Sequence, residues 1–212
     1  AVKFTGKESK SNPGMQLGAK VVTLSGPDGY VYDENGINTP EKIDYMLELR
    51  ASNQDIIEPY AKKFGAKFVK GKKPWEVPVD MAFPCALQNE LTGEDAKQLI
   101  RNGVKYVIET SNMGCTPEAI EAIQAAKIPF APGKAANAGG VAVSGLEMSQ
   151  NSERLSWSFE EVDAKLKEIM TNIHDNAYET AKKYAAEGDY VAGANIAGFV
   201  KVAAAMIAQG LV

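Results

Sequence analysis

The sequence predicts an α/β fold in which a doubly wound, mostly parallel sheet carries helices on both faces and is followed by C-terminal helices. Two observations lead to this prediction. Short apolar, β-branched runs alternate with helical patterns over residues 21–152, whereas the last third shows helical patterns only. Such alternation is typical of right-handed crossover connections between parallel strands. The chain has 212 residues, which suits one α/β domain or one and a half.

The first predicted elements are a strand, a turn and a helix. The β-branched run at residues 21–24 indicates a strand, and the Gly-Pro-Asp-Gly sequence at residues 26–29 indicates a turn. Thr39 is a candidate N-cap, with Pro40 at the first helical position. A further short strand is expected at residues 67–69.

The middle of the chain repeats the strand–helix pattern. Thr92 and Asp95 have the spacing of a capping box, and Thr116 precedes Pro117 at the start of a second helix. In parallel sheets the ligand lies beyond the carboxyl ends of the strands. We therefore expect the turns after residues 24, 83, 108 and 130 to open on one cleft. The strands that precede the last three of these turns are predicted at residues 79–83, 106–108 and 128–130.

The last third is predicted to be helical. Ser158 and Glu161 have capping-box spacing, and an apolar stripe continues to Ala181 before Gly188 ends the helix. A second stripe runs from Ile196 to the end of the chain. Stripes of this kind usually form core or interface, and no apolar run is expected to reach membrane-spanning length.

Composition excludes several classes of function. The net charge of −4 predicts no nucleic-acid partner, and the start of the chain lacks the apolar stretch of a signal peptide. Cys85 and Cys115 have no metal-ligand spacing, and His174 is the single histidine, so no metal site is predicted. Two free thiols fit a reducing cytoplasm.

The run of small residues and glycines at residues 131–152 is the most informative segment. Asn137 and Ser144 are uncharged hydrogen-bonding groups among apolar neighbours, which suits the orientation of an amide or a carboxylate. The alternative is a glycine-rich turn that leads into a buried helix. Both interpretations remain open from composition alone.

A dinucleotide-binding fold begins with a strand, Gly-x-Gly-x-x-Gly and a helix, and this fingerprint is absent from the sequence. We therefore expect weak dinucleotide affinity, because the pyrophosphate loses its glycine turn. Ser25, Gly26, Pro27 and Asp28 stand where the adenosine ribose would be read. A carboxylate at this position favours NAD over NADP, because it repels a 2′-phosphate. The alternative is that the Pro-Asp-Gly sequence only forms a tight turn.

Two further loops carry small residues and an amide after a predicted strand, at residues 84–89 and 111–116. One interpretation of the first loop is that Cys85 acts as a nucleophile. No histidine lies near it in sequence, and His174 falls in a predicted helix. The loops are therefore expected to bind rather than to attack a ligand.

The blocks at residues 17–30, 84–90, 131–152 and 191–199 resemble hexameric glutamate dehydrogenases, in family order. The resemblance implies a Rossmann-like but incomplete dinucleotide-binding domain at residues 1–152, which lacks its first βα unit. Residues 153–212 are implied to be C-terminal helices that pack on or beside it. The substrate domain of the family, with its catalytic groups, has no counterpart in this sequence, so no catalytic residue is assigned.

The resemblance also implies site residues. Ser144 would contact the distal carboxylate of the substrate, with Val141 shaping the pocket. Asn112 and Asn137 would lie near the nicotinamide, and Ala86, next to Cys85, near its ribose. Residues 111–114 resemble a variant found in NADP-type members, which conflicts with the ribose interpretation of residue 28, so the implied cofactor is NAD or NADP.

The implied reaction is the reversible oxidative deamination of L-glutamate to 2-oxoglutarate and ammonia, in a cytoplasmic homo-oligomer that binds neither nucleic acid nor membrane. The alternative is a nucleotide-domain fragment that folds but does not turn over. A small dehydrogenase with another substrate is a third hypothesis, but it would need its own acid–base pair, which the sequence does not offer.

Overall fold

A computed structural model describes residues 18–52 and 56–210 of the chain. The chain divides into two units between Pro78 and Val79. This structural boundary lies at a different position from the boundary between functional domains that we expect after residue 152. The functional boundary stays a prediction.

The first unit contains an antiparallel sheet of three strands, β1 (Thr23–Gly26), β2 (Gly29–Tyr32) and β3 (Lys67–Lys70), in the order β1-β2-β3. The first strand begins two residues later than predicted. The turn at residues 26–29 joins β1 to β2 as a hairpin, so the expectation that it opens on the edge of a parallel sheet is wrong. A short β-branched run indicates a strand but carries no information on the direction of its partner.

The hairpin depends on Gly29. Its φ is +149°, and a Cβ built there would lie 2.2 Å from the carbonyl oxygen of Val69. Only glycine lets β2 and β3 approach this closely. Tyr30 and Val31, which follow it in β2, are both buried.

The described part of the first unit also contains the α-helices α1 (Pro40–Ala51) and α2 (Glu58–Phe64). The predicted cap is confirmed, because the Thr39 hydroxyl accepts from the Lys42 backbone N–H. The second helix was not predicted. Its apolar residues complete a core whose buried members are Leu24, Val31, Ile37, Ile57, Tyr60 and Ala61.

A buried carboxylate, Asp33, joins this core to α1. Asp33 is 4% exposed and accepts from Lys42 Nζ at 2.6 Å and from the Tyr60 hydroxyl at 2.8 Å. Burial on its own would raise the pKa of Asp33, but the hydrogen bonds from Lys42 and Tyr60 outweigh it and hold the pKa below its usual value. The charged carboxylate is therefore part of the folded unit.

The second unit contains a parallel sheet of three strands, β4 (Met81–Ala82), β5 (Tyr106–Ile108) and β6 (Phe130–Ala131), in the order β4-β5-β6. The helices α3 (Gly93–Arg101) and α4 (Pro117–Ala125) connect them. This strand–helix alternation confirms the predicted α/β class.

Both connecting helices begin where the sequence predicts. Thr92 and Asp95 form a capping box, and the Thr116 hydroxyl accepts from the Ala119 backbone N–H. The buried apolar residues around the sheet include Ala82, Leu91, Ala96, Leu99, Val104, Val107, Ala119, Ile123 and Phe130.

The second unit continues into four helices, α5 (Gly133–Ala136), α6 (Ala138–Glu153), α7 (Phe159–Tyr184) and α8 (Tyr190–Gln209). The capping box at Ser158 is confirmed. The alternative of a buried helix after the glycines is wrong for this chain, because α6 has no buried residue.

The last two helices pack closely through Gly193. A Cβ built on it would lie 2.1 Å from the Ala177 carbonyl oxygen. By length and composition α8 could cross a membrane, contrary to the expectation from the sequence, and 6% of its apolar window is buried. Length and composition alone do not distinguish a spanning segment from a helix that packs on other protein.

We expect Asp33→Asn to destabilise the first unit by about 3 kcal/mol, because it leaves the Lys42 ammonium buried without its counter-charge. Urea unfolding followed by Trp75 fluorescence, in a Trp157→Phe background, measures this loss. Asp44→Asn, on the exposed face of α1, is the matched control and should change stability by less than about 0.5 kcal/mol.

The same carboxylate gives a pH dependence. Because its pKa is lower in the folded than in the unfolded state, its contribution is present above the unfolded value of about 3.9 and is lost as pH falls through the folded value. Below about pH 4 the wild type should therefore lose more stability than Asp33→Asn. Parallel losses in the two proteins would contradict this assignment.

Candidate functional site

Three loops follow the carboxyl ends of the parallel strands, and we name residues 84–91, 109–116 and 131–137 the edge loops. Parallel strands bring their carboxyl ends to one edge. The edge loops contain the predicted residues Cys85, Ala86, Asn112 and Asn137. The backbone of these loops positions the side chains.

The carbonyl oxygen of Pro84 holds the first two edge loops together. It accepts from the backbone N–H groups of Thr110 at 3.0 Å and Ser111 at 3.2 Å. The hydroxyls of both residues also donate to it, each at 3.3 Å. Gly114 lies against this junction, where a Cβ would be 2.3 Å from Ser111 Oγ.

A buried carboxylate, Glu109, joins the second edge loop to the third. Its Oε1 accepts from the Cys115 N–H at 2.8 Å, and its Oε2 accepts from the Gly133 N–H at 2.7 Å. Sequence reasoning missed this residue. Its signal in the sequence was its position directly after the apolar run of β5, where it begins the polar stretch that continues through residues 110–112.

The predicted amides Asn112 and Asn137 meet at this edge. Asn137 Nδ2 donates to Asn112 Oδ1 at 2.5 Å, although the two residues lie on different edge loops. Asn112 is exposed, so the pair borders solvent. Because each amide keeps a donor or an acceptor for another group, the pair can bind a ligand that offers both, such as a carboxamide.

The first edge loop is held by its own acidic residue. Glu90 Oε1 accepts from the Ala86 N–H at 2.8 Å. In this loop Ala86 is exposed and Cys85 is buried. Asn89 and Met113 both have positive φ, and the Asn89 N–H donates to the Met113 carbonyl oxygen at 2.8 Å. Left-handed backbone at non-glycine residues is uncommon and is concentrated at functional sites.

Both cysteines are free and buried, which disfavours a role as nucleophile. Burial raises the pKa of Cys115 to about 12, with the carboxylates of Glu109 and Glu90 adding to the effect. The thiol therefore stays protonated and unreactive. Among residues 18–52 and 56–210, no group of acidic, cysteine or histidine side chains could hold a metal ion.

Ser144 and Val141 lie on α6, three residues apart and hence on one face of the helix. Val141 is 73% exposed, and Ser144 Oγ donates to the Gly140 carbonyl oxygen at 3.3 Å. This intrahelical bond leaves the oxygen of Ser144 able to accept a hydrogen bond. Their predicted roles in substrate binding stay predictions.

The residues predicted to read the ribose belong to the first unit. Ser25 and Gly26 end β1, and Pro27 and Asp28 form the hairpin turn. The turn interpretation gains support, because the Asp28 carboxylate accepts at 3.0 Å from the backbone N–H groups of residues 57 and 58, at the start of α2. An acidic group here stabilises the helix N-terminus.

A family model described as "Glutamate/Leucine/Phenylalanine/Valine dehydrogenase" matches residues 12–210. The chain is 63% identical over 202 residues to a NAD-specific glutamate dehydrogenase of Bacteroides fragilis and 55% identical over 202 residues to a NADP-specific one of Haemophilus influenzae. Each alignment covers 93% of this chain and 44% of the relative. The chain thus spans less than half the length of these relatives.

A solved structure titled glutamate dehydrogenase is similar to this chain with a TM-score of 0.89 and 56% sequence identity. The match covers 92% of this chain and 44% of the other. The likeness in fold and the likeness in sequence thus extend over the same share of the chain.

We expect Asp28→Ala to lower the free energy of unfolding of the first unit by about 1 kcal/mol, the usual cost of losing a cap. Asp28→Asn should lose less, because one side-chain oxygen remains to accept. Urea unfolding followed by Trp75 fluorescence, in the Trp157→Phe background, compares the two with the exposed control Asp44→Ala. An Asp28→Ala protein as stable as that control would refute the capping role.

We expect neither cysteine to react with iodoacetamide in the folded protein at about pH 8, because both are buried and Cys115 is protonated. Mass spectrometry should find two adducts only after unfolding in urea. Rapid alkylation of folded Cys85 would revive the nucleophile hypothesis.

Proposed function

Because this chain belongs to the glutamate/leucine/phenylalanine/valine dehydrogenase family, we propose that it is part of a glutamate dehydrogenase. The reaction is the reversible oxidative deamination of L-glutamate to 2-oxoglutarate and ammonia, with hydride passing to NAD or NADP. The identity of 63% to a protein named NAD-specific glutamate dehydrogenase carries this proposal.

The cofactor is proposed to lie with its nicotinamide at the edge loops. The Asn112–Asn137 pair supports this placement, since two adjacent amides match the donor and acceptor of a carboxamide. The exposed Ala86 leaves room for the adjoining ribose. The cofactor supplies the hydride chemistry when bound, and the task of these residues is to orient it.

The choice between NAD and NADP stays open in this proposal. Relatives of similar identity are named for each cofactor. Asp28 would repel a 2′-phosphate and favour NAD, but its carboxylate already accepts from the backbone of residues 57 and 58. A residue that is needed for a helix cap is weak support for a role in cofactor selection.

The substrate is proposed to contact α6. Ser144 presents a hydroxyl oxygen that can accept, and its proton can turn from the Gly140 carbonyl toward a carboxylate. Val141, on the same face, would border the aliphatic part of the substrate. Both residues are exposed in this chain, which leaves a ligand free access to them.

Turnover is proposed to need the rest of the protein, because hydride transfer requires both reactants to be aligned in one closed site. Many large apolar side chains of the C-terminal helices face solvent, as expected of a surface that another part of the protein covers. The most exposed are Val141, Met148, Phe159, Phe199, Met206 and Ile207. The alternative, a segment that folds but does not turn over, thus describes this chain in isolation.

The complete enzyme is proposed to be a soluble, cytoplasmic homo-oligomer, with a hexamer as the family implies. The two cysteines of this chain, both free and buried, fit a reducing compartment. The charge of −4 fits a protein with no nucleic-acid partner.

A chimera tests the proposal. The aligned part of the Bacteroides fragilis enzyme is replaced by this chain, and glutamate-dependent reduction of NAD and of NADP is followed at equal substrate concentrations. We expect turnover from the chimera and none from the isolated chain. A folded chimera that oxidises none of glutamate, leucine, phenylalanine or valine would refute the proposal.

In that chimera we expect Ser144→Ala to raise the KM for glutamate about tenfold, the loss that goes with one hydrogen bond to a charged group. Ser149→Ala is the matched control, because Ser149 lies on the same helix and donates to the Gly145 carbonyl oxygen at 3.0 Å. Equal effects of the two substitutions would place the role of Ser144 in the helix and not in the substrate site.

A further inference from the structure

The buried carboxylate of Glu109 has no part in the proposal above, although it lies beneath the amide pair. It is 5% exposed and comes directly after the central strand β5. Its own N–H donates to the Ala131 carbonyl oxygen at 3.0 Å. The residue is therefore anchored by its backbone before its side chain is considered.

Each carboxylate oxygen of Glu109 controls one of the loops that carry the amides. The Cys115 N–H, which donates at 2.8 Å, lies three residues after Asn112. The Gly133 N–H donates to the other carboxylate oxygen at 2.7 Å. Gly133 is the first residue of α5, and its carbonyl oxygen accepts from the Asn137 N–H at 2.8 Å. One side chain thus sets the separation of two loops.

A charged, two-oxygen acceptor is what this position requires. Glutamine has the same shape, but one end would present an NH2 group to a backbone N–H, so one of the two bonds must break. Gly133 completes the fit, because a Cβ there would lie 2.9 Å from Glu109 Oε2 and 2.7 Å from the Ser111 carbonyl oxygen.

We propose that Glu109 is a positioning residue, which brings Asn112 and Asn137 within hydrogen-bonding distance by holding the loops that carry them. The ligand that benefits, the nicotinamide end of a dinucleotide, rests on the proposed function. The hold of the carboxylate on the amide pair does not, because it exists without ligand.

The test compares Glu109→Gln with the wild-type chain by ¹H–¹⁵N NMR without ligand. We expect the side-chain NH2 resonances of Asn112 and Asn137 to move toward the positions of free asparagine, while the Val107 amide in β5 keeps its native shift. Glu121→Gln, on the exposed face of α4, should move neither. Unmoved asparagine resonances in folded Glu109→Gln would overturn the proposal.

A second variant displaces the same carboxylate without removing its charge. Gly133→Ala should reproduce the asparagine shifts, whereas Gly198→Ala, where an added Cβ meets nothing within 4 Å, should not. If Glu109→Gln and Gly133→Ala both lose the native spectrum of the whole second unit, Glu109 serves the fold at large and the positioning role is wrong.

Titration with NAD and with NADP separates this proposal from the proposed function. We expect wild-type Asn112 and Asn137 resonances to shift on binding, with about tenfold weaker binding by Glu109→Gln, equivalent to one charge-assisted hydrogen bond. If Glu109→Gln moves the amide resonances without ligand but binds the dinucleotides as tightly as the wild type, Glu109 has no role in cofactor binding. If neither dinucleotide shifts the wild-type Asn112 and Asn137 resonances, the proposed cofactor site is wrong. The ligand-free spectra still decide whether Glu109 positions the two amides.

Discussion

The parallel sheet of the second unit is too short to satisfy its own backbone, and the edge loops depend on that constraint. Two of its strands have two residues and the third has three, so few ladder bonds form. Buried N–H and C=O groups beyond the strands must find other partners. The Pro84 carbonyl and the Glu109 carboxylate supply them, which is why loops without regular structure are held in one arrangement.

The first unit meets the same requirement with different residues. Asp28 satisfies the N–H groups at the start of α2, and Asp33 satisfies Lys42 and Tyr60 inside the core. Both carboxylates stand in segments that look like ordinary polar turns. An aspartate in a turn can therefore stabilise the fold and, in the sequence, still look like a ligand-binding residue. For this reason the sequence alone did not separate a ribose contact of Asp28 from a structural role.

What the sequence predicts well is local. The caps at Thr39, Thr92, Thr116 and Ser158 are all confirmed, because capping depends on residues three positions apart. The antiparallel pairing of β2 with β3 was not predictable in this way, since it brings Gly29 against Val69, forty residues later in the chain. The meeting of Asn112 and Asn137 at one edge followed from topology. The role of Glu109 did not, because a charged residue at the end of a strand gives no indication of its partners.

The exposure of the C-terminal helices limits what this chain does by itself. Helix α8 packs on α7 through Gly193, yet Phe199, Met206 and Ile207 face solvent. A soluble protein rarely leaves so many apolar side chains uncovered unless another surface meets them. Ser144 lies on α6, a helix with no fully buried residue. The edge loops are thus preorganised within this chain, whereas the exposed face of α6 is completed only where another surface packs on it. Under the proposed function, the cofactor would therefore meet a site built by this chain, and the substrate would meet one that needs another part of the protein.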